Sequence, residues 1–206
     1  MNVKLGLAAI IFAIVFVALG AYVSHQPLSR LDVEGAALRG QSTPLAIVFT
    51  LSGYPLALTI LSVASVIVAI ALRVSIAAPL AIGISQTLSQ GVVNLVKNSF
   101  ARMRPDDWLY RHEQGFSYPS GHATTAIVFY GAWLLVLAYS PLPLRVKIAG
   151  CSAIGIWMLG IMWSRMALSA HYPTDVIGGV VFGAAWLCTV IAILITVAPN
   201  ALALSR

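Results

Sequence analysis

The polar segment KNSFARMRPDDWLYRHEQGFSYPSGH, residues 97–122, decides the fold because long apolar stretches flank it on both sides. A charged side chain costs about 3 kcal/mol at the centre of a bilayer. A segment this polar must therefore lie outside the hydrocarbon or line a wet cavity. Seven charged residues fall within it: Lys97, Arg102, Arg104, Asp106, Asp107, Arg111 and Glu113.

The rest of the sequence has the composition of a membrane protein. Of its 206 residues, 60% are hydrophobic and 9% are charged, and the mean hydropathy is +0.93. An ordinary soluble domain carries about 25% charged residues. Six uncharged stretches can each hold a spanning helix, which needs roughly 17 to 25 residues: residues 5–29, 40–72, 74–96, 123–144, 148–164 and 176–205.

These stretches predict an all-α, integral membrane six-helix transmembrane bundle, with its site at one membrane face and a single membrane-embedded domain over residues 1–206. A soluble all-helical core is disfavoured because buried soluble helices rarely run so long without a charge. The first stretch could instead be a cleaved signal peptide, since Lys4 precedes an apolar run and Ala18 with Gly20 offers a small-residue cleavage site.

The net charge and the positions of the cysteines indicate which kinds of partner the protein is expected to bind. The net charge of +6 and the pI near 9.7 favour an anionic membrane surface or an anionic substrate. The basic residues are scattered and form no stripe with interleaved aromatics, so nucleic acid is not an expected partner. Cys151 and Cys188 lack neighbours at metal-ligand spacing and are interpreted as packing residues. A second polar segment, residues 24–43, is either a short interfacial helix or a plain connector.

Helix alternation predicts where the reactive side chains lie. If successive helices reverse direction, the connection after the third stretch, residues 98–121, and the connection after the fifth, residues 165–172, emerge on the same membrane face. These two connections are the richest in reactive side chains. They are therefore able to meet in one site.

The first cluster of such residues is Lys97 followed, after six residues, by Arg104 and Pro105. Two cations at a helix end suit a phosphate, because arginine offers a planar fork and lysine a compact point charge. Snorkelling of basic side chains to the membrane surface would also explain this cluster taken alone.

The second cluster is Pro119, Ser120, Gly121 and His122, directly ahead of an apolar run. Ser120 is well suited to cap the helix that begins there. The free backbone N–H groups of a helix start attract an anion, and Gly121 lets it approach closely. His122 then lies in the first turn, near any anion bound there.

The third cluster is Ser164 and Arg165, then His171 and Asp175. Pro173 predicts that the last helix begins at this point, so Asp175 could simply complement the helix dipole. The functional interpretation is that Asp175 accepts a hydrogen bond from one ring nitrogen of His171. The other nitrogen is then free to attack.

Together the three clusters resemble the complete signature of the type 2 phosphatidic acid phosphatase superfamily. The resemblance spans residues 97–175 in its motifs, and the helix layout extends it over nearly the whole chain. Every fixed position is matched: Lys97-x6-Arg104-Pro105, Pro119-Ser120-Gly121-His122 and Ser164-Arg165-x5-His171-x3-Asp175.

This resemblance implies a bacterial membrane lipid phosphatase. In such enzymes the residue matching His171 is the nucleophile, oriented by Asp175, and forms a phosphohistidine; the residue matching His122 protonates the leaving oxygen and later activates water. Three cations and backbone donors can stabilise the developing charge, so no metal or other cofactor is expected. The residues implied to bind the phosphate are Lys97, Arg104, Ser120, Gly121 and Arg165, with the His122 amide.

The expected function is hydrolysis of a phosphomonoester or diphosphate of a lipid that stays in the bilayer. Undecaprenyl diphosphate is the first expectation, while phosphatidylglycerol phosphate, phosphatidic acid and a lipid A phosphate would present the same anion. A lipid phosphotransferase with the same site is an alternative. A non-catalytic phospholipid carrier is another, although simple binding gives a histidine–aspartate pair no purpose. Vanadium haloperoxidases share the constellation but are soluble.

The remaining charges bear on orientation. Asp106, Asp107, Arg111 and Glu113 could shape the substrate entrance, but we favour a solvated loop face. Outside the motifs, the bias of basic residues favours an active site that faces away from the cytoplasm. The resemblance to bacterial enzymes implies the same orientation, in the inner (plasma) membrane with the site on the periplasmic or extracytoplasmic side. The bias is five residues against four: Lys4, Arg73, Arg145, Lys147 and Arg206 on one face, and Arg30, Arg39, Arg102 and Arg111 on the motif face. Nothing in the sequence indicates the oligomeric state.

Overall fold

The structure, a computed structural model, describes residues 3–197, and every regular element in that part of the chain is helical. The first half contains α1 (Val3–His25), α2 (Arg30–Gly35), a 3-10 turn (Ala36–Leu38), α3 (Thr43–Leu51), α4 (Pro55–Ala71) and α5 (Ala77–Phe100). After an irregular loop come α6 (Gly121–Thr125), a π-helical turn (Ala126–Tyr130), α7 (Gly131–Ala138), α8 (Leu144–Ala167) and α9 (Pro173–Val197).

The all-helical class is confirmed, while the number of membrane spans is only partly so. Four helices are long and apolar enough to cross a membrane, and α3 with α4, bent by 52°, can supply a fifth. Helix α5 has the necessary length, with 24 residues, but carries Gln86, Ser89, Gln90, Asn94 and Lys97. Residues 198–205 of the last apolar stretch, and Arg206, lie outside the described residues.

An aromatic cluster joins α1 to α9 below the polar loop. The ring of Phe16 stacks on Tyr118 at 5.4 Å and contacts Phe100 and Phe182 at 5.6 and 5.2 Å between centroids. Tyr118 is fully buried, and its hydroxyl donates to the Phe16 carbonyl at 2.7 Å. This cluster fixes the end of the 101–120 loop against the helix bundle.

Glycines on α9 allow that loop to approach the helix backbone. A Cβ atom at Gly178 would overlap the Tyr118 ring, and one at Gly179 would overlap the Ser120 carbonyl oxygen. The Ser120 N–H donates to the Asp175 carbonyl at 3.0 Å. The start of α6 is thereby held directly beside the start of α9, so two of the sequence clusters become neighbours.

The second polar segment, residues 24–43, contains the short helix α2. Of the two expectations for this segment, a helix or a plain connector, the structure shows a helix. Ser29 and Asp32 form a reciprocal capping box at its start. Helix α2 lies against the beginning of α9, where a Cβ atom at Gly35 would overlap the Pro173 ring. Asp32 is 2% exposed and faces that contact.

Candidate active site

A cavity of about 920 Å³ opens at the end of the bundle where α5 and α8 end and where α6 and α9 begin. From there it continues as a groove between α4 and α5 that is lined largely by aliphatic side chains. The Ser120 and Asp175 side chains are fully buried beside the cavity and do not line it. Six of the eight predicted site residues do line it: Lys97, Arg104, Gly121, His122, Arg165 and His171.

The His171 ring lies between a cation and a carboxylate. Nη1 of Arg104 lies 3.1 Å from Nε2 of His171. A guanidinium can only donate hydrogen bonds, so Nε2 of His171 must be the acceptor. This nitrogen therefore carries a lone pair and no hydrogen. Nδ1 then carries the hydrogen, and it lies 3.3 Å from Ser117 Oγ and 3.5 Å from Asp175 Oδ2.

His171 is held in its neutral form. Burial lowers the pKa of His171 well below its ordinary value, and the nearby charges of Arg104, Lys97 and Arg165 lower it further. A lowered histidine pKa keeps the ring unprotonated at every pH above that lowered value. The contact with Asp175 is therefore one between a neutral imidazole N–H and a carboxylate, and not a charged ion pair.

Each oxygen of the Asp175 carboxylate has its own donors. Oδ2 accepts from the Ser117 hydroxyl and from the Tyr172 N–H at 2.9 Å, while Oδ1 accepts from Arg102. Because the Ser117 hydroxyl donates to Asp175, its oxygen is free to accept from Nδ1 of His171. Ser117 thus bridges the two residues that the third cluster pairs.

Arg165 is bound by a carboxylate that sequence analysis had assigned to a solvated face. Arg165 is 1% exposed and donates to Thr50 Oγ1 and, at 2.7 Å, to Glu113 Oε1. The Tyr54 hydroxyl donates to the same Glu113 oxygen at 2.8 Å. Burial raises the pKa of Glu113, but Arg165 and the Tyr54 hydroxyl outweigh it and leave the pKa below its ordinary value. The interpretation of Glu113 as a solvated residue is wrong, because it lines the cavity as an ionised carboxylate.

The other two cations are held by neutral groups. Lys97 Nζ donates to the Phe116 carbonyl at 2.8 Å. Arg104 donates to the Gly115 and Ala170 carbonyls at 3.0 and 2.8 Å. Carbonyl oxygens orient these side chains without cancelling their charge, so this part of the cavity attracts an anion.

Two residues of the second cluster have different positions: Ser120 caps α6, and His122 lines the cavity. The Ser120 hydroxyl accepts from the Ala123 N–H at 3.4 Å, which is the predicted cap of α6. His122 lines the cavity, with Nε2 3.1 Å from the Thr50 carbonyl and its ring edge-on to Tyr54 at 4.8 Å. A carbonyl only accepts, so Nε2 of His122 carries a hydrogen and Nδ1 is the acceptor.

With this geometry in place, the family can be stated. Residues 78–198 match the PAP2 superfamily, and the match covers more than half of the chain. The chain belongs to the PAP2 superfamily, and its apolar helices make it a membrane protein.

Particular relatives refine the comparison. The chain is 36% identical over 115 residues to lipid A 1-phosphatase of Rhizobium johnstonii, a match that covers 50% of this chain and 41% of that protein. It is 38% identical over 95 residues to phosphatidylglycerophosphatase B of Bacillus subtilis, covering 43% of this chain and 44% of that protein. The matched regions thus span less than half the length of these relatives.

A solved structure extends the likeness to the whole fold. The crystal structure of a transmembrane PAP2 type phosphatidylglycerolphosphate phosphatase from Bacillus subtilis superposes with a TM-score of 0.77 and 21% identity. The superposition covers 92% of this chain and 96% of that one. At this identity, the comparison concerns the fold.

Several residues at the site have no sequence signal of their own. Glu113 lies in an irregular loop with Asp106, Asp107 and Arg111, and only the fold shows which of these four turns inward. Ser117 and Thr50 are small hydroxyl residues whose spacing from the motifs carries no chemical meaning. Arg102 was counted as a surface charge in the orientation argument, whereas it is 6% exposed and bonded to Asp175.

Proposed function

We propose that the protein is an integral membrane lipid phosphatase that hydrolyses a phosphomonoester or diphosphate of a lipid through a phosphohistidine at His171. The observation that carries this proposal is the contact between Arg104 and Nε2 of His171, in one cavity with Lys97 and Arg165. A phosphoryl group bound by the three cations would have its phosphorus next to a neutral, unprotonated ring nitrogen.

The proposed reaction has two displacements. In the first, Nε2 of His171 forms a bond to phosphorus while the bond from phosphorus to the lipid oxygen breaks, and His122 gives that leaving oxygen the proton that its Nδ1 takes up when the anionic headgroup binds. In the second, His122 takes a proton from water, the water oxygen bonds to phosphorus, and the P–N bond breaks to release phosphate. Asp175, which lies 3.5 Å from Nδ1 of His171 and is bridged to it by the Ser117 hydroxyl, stabilises the charge that develops on the ring.

Side chains and backbone groups of the protein stabilise the negative charge that develops on the phosphoryl group. Lys97, Arg104 and Arg165 face the cavity, and the free N–H groups of Gly121 and His122 at the start of α6 add backbone donors. The Ser120 hydroxyl is bonded to the helix backbone, so we assign it the support of this helix start more than direct contact with phosphate.

The groove between α4 and α5 favours a lipid substrate. It leads away from the cationic residues and is lined by aliphatic side chains such as Leu58, Val63 and Ile84. An acyl or isoprenoid tail would lie there while the headgroup enters the polar end of the cavity. We further propose that α5 is the sixth span, with its polar face turned to this groove, and that the site faces away from the cytoplasm in the inner membrane.

We propose that the physiological substrate is one of several phosphorylated lipids. Undecaprenyl diphosphate is our expectation from the sequence, and the two relatives are named for a lipid A phosphate and for phosphatidylglycerol phosphate. All of these lipids fit the same cationic end, so discrimination must come from the groove and from the loop of residues 101–120.

A phosphate-release assay tests the proposal. The purified protein in proteoliposomes should release inorganic phosphate from at least one of undecaprenyl diphosphate, phosphatidylglycerol phosphate, phosphatidic acid and a lipid A 1-phosphate, equally with and without chelator. His171→Ala should abolish release, with His112→Ala as a matched control in the neighbouring loop. Phosphate passed to a second lipid instead of water would indicate a phosphotransferase, and binding without turnover would indicate a carrier; either result would contradict the proposal.

A further inference from the structure

A buried ionic cluster lies behind the Asp175 carboxylate. The Arg102 guanidinium donates to Asp175 Oδ1 at 2.5 Å and to Asp32 Oδ2 at 2.8 Å, and it also donates to the Thr174 hydroxyl at 2.6 Å. Arg102 is 6% exposed, and both carboxylates are buried. The cluster joins three parts of the chain, since Asp32 is on α2, Arg102 follows α5, and Asp175 is on α9.

Each member of this cluster is held by further bonds. Asp32 Oδ1 accepts from the backbone N–H and the hydroxyl of Thr174, at 3.0 and 2.7 Å. The Arg102 guanidinium also lies 4.6 Å from the centroid of the Tyr172 ring. A buried arginine with two carboxylate partners, each itself hydrogen-bonded, has a single favourable arrangement.

This arrangement decides which way Asp175 points. With Oδ1 bound by Arg102, the other oxygen is turned toward Ser117, the Tyr172 N–H and Nδ1 of His171. A carboxylate without the Arg102 contact could rotate and would be a buried charge lacking its cation. The tautomer of His171, which the Arg104 contact at Nε2 also favours, therefore depends in part on a residue that does not touch the cavity, because Arg102 is absent from its lining.

We propose that Arg102 and Asp32 are positioning residues of the reaction, which hold Asp175 so that it fixes the His171 tautomer with Nε2 free. The inference rests on the proposed function and adds to it a part for α2, the short helix packed against the start of α9. Asp32 acts one step further away than Arg102, since it orients the guanidinium that orients Asp175.

Kinetics of two conservative variants test this assignment. Arg102→Lys keeps a cation but cannot bind both carboxylates in fork geometry, and Asp32→Asn keeps the shape but removes the charge. We expect kcat to fall about 10- to 100-fold, the loss that is typical for the outer partners that orient histidine ligands at metal sites. The KM and the inhibition constant for inorganic phosphate should stay within about 2-fold, because neither residue touches the cavity. Arg102→Ala should lose more activity than Arg102→Lys.

Two further measurements separate positioning from a purely structural role. In an Asp175→Asn background, Arg102→Lys should cause no additional loss of kcat, since Arg102 acts through Asp175; multiplied losses would overturn the proposal. Arg39→Ala is the matched control, because the Arg39–Asp107 pair lies at the same end of the molecule but is about half exposed. It should have the kcat of the parent protein.

Nitrogen NMR of the His171 ring tests the inference without turnover. The parent protein should give the shifts of a single tautomer, with hydrogen on Nδ1, and Arg102→Lys and Asp32→Asn should give a mixture of tautomers. An unchanged spectrum in both variants would overturn the positioning role even if the enzyme is active. Failure of the proposed function is distinct, since the parent protein would then release no phosphate from any lipid while the ring shifts could still respond.

Discussion

The proposed active site has a nucleophile side, around His171 and Asp175, and an anion side, around Lys97, Arg104 and Arg165, and the two sides are built differently. On the nucleophile side, Nδ1 of His171 lies next to Ser117 and Asp175, and Asp175 is bound by four donors or near neighbours within a buried cluster. On the anion side, Lys97 and Arg104 are held by carbonyl oxygens and have no carboxylate partner among the described residues. The nucleophile side is complete without substrate, whereas the anion side is completed by it.

Arg165 differs from the other two cations of the anion side because it already has a carboxylate partner. Its guanidinium is already bonded to the Glu113 carboxylate, which lines the same cavity. A phosphate that binds Arg165 must share it with Glu113 or displace that carboxylate. We therefore expect substitutions on the nucleophile side to change kcat, and those on the anion side to change the affinity for phosphate.

The largest effect should come from Asp175→Asn. An asparagine in this position can donate to His171 and so favours the wrong tautomer, which in a comparable histidine–aspartate pair of serine proteases costs about 10⁴-fold in kcat. Phosphate inhibition should be unchanged, because Asp175 does not line the cavity. Steady-state kinetics would measure both quantities, with the half-exposed Asp107→Asn as the control. A weakened affinity for phosphate with normal kcat would break the comparison.

A smaller effect is expected from Arg165→Lys. Lysine cannot bond Thr50 and Glu113 while offering a planar fork to phosphate, so we expect kcat/KM to fall about 10²-fold, in the range of a lost transition-state donor. The inhibition constant for inorganic phosphate should rise in parallel. If phosphate bound Arg165→Lys as tightly as the parent protein, Arg165 would not belong to the anion side.

The smallest effect should come from Glu113→Gln, which we expect to strengthen the binding of phosphate instead of weakening it. Removing the carboxylate frees Arg165 from a competing anion, so inorganic phosphate should inhibit several-fold more strongly. The pKa of Glu113 is held below its ordinary value, so the carboxylate is ionised at neutral pH and the substitution removes a full charge. Product-inhibition assays would measure this change, and Asp106→Asn would serve as the loop control. Weaker inhibition by phosphate would mean that Glu113 supports anion binding.

Sequence patterns were sufficient for the helical class and for six of the residues that line the cavity. The uncharged stretches predicted helices, and helix alternation brought the clusters around Lys97, His122 and His171 to one end of the bundle. These features follow from composition and order along the chain. The chemical roles of the residues stay predictions, as does the count of six spans, because α5 is too polar to be recognised by hydropathy.

The remaining parts of the site depend on which side chains turn inward. Arg102, Glu113 and Asp32 are charges in connecting segments, where a solvated position is the usual outcome. Their burial results from contacts between segments far apart in sequence, such as Asp32 with Thr174. No local pattern encodes such a contact, so these residues became visible only in the fold.

Direct detection of the covalent intermediate tests the central claim. After a brief reaction with a lipid carrying radiolabelled phosphate, quenched under alkaline conditions that preserve phosphohistidine, the label should be found on the peptide that contains His171. His122→Ala should gain label on His171 more slowly and lose it more slowly, because His122 acts in both displacements, and His171→Ala should retain none. Label on another residue, or release of phosphate by His171→Ala, would contradict the account.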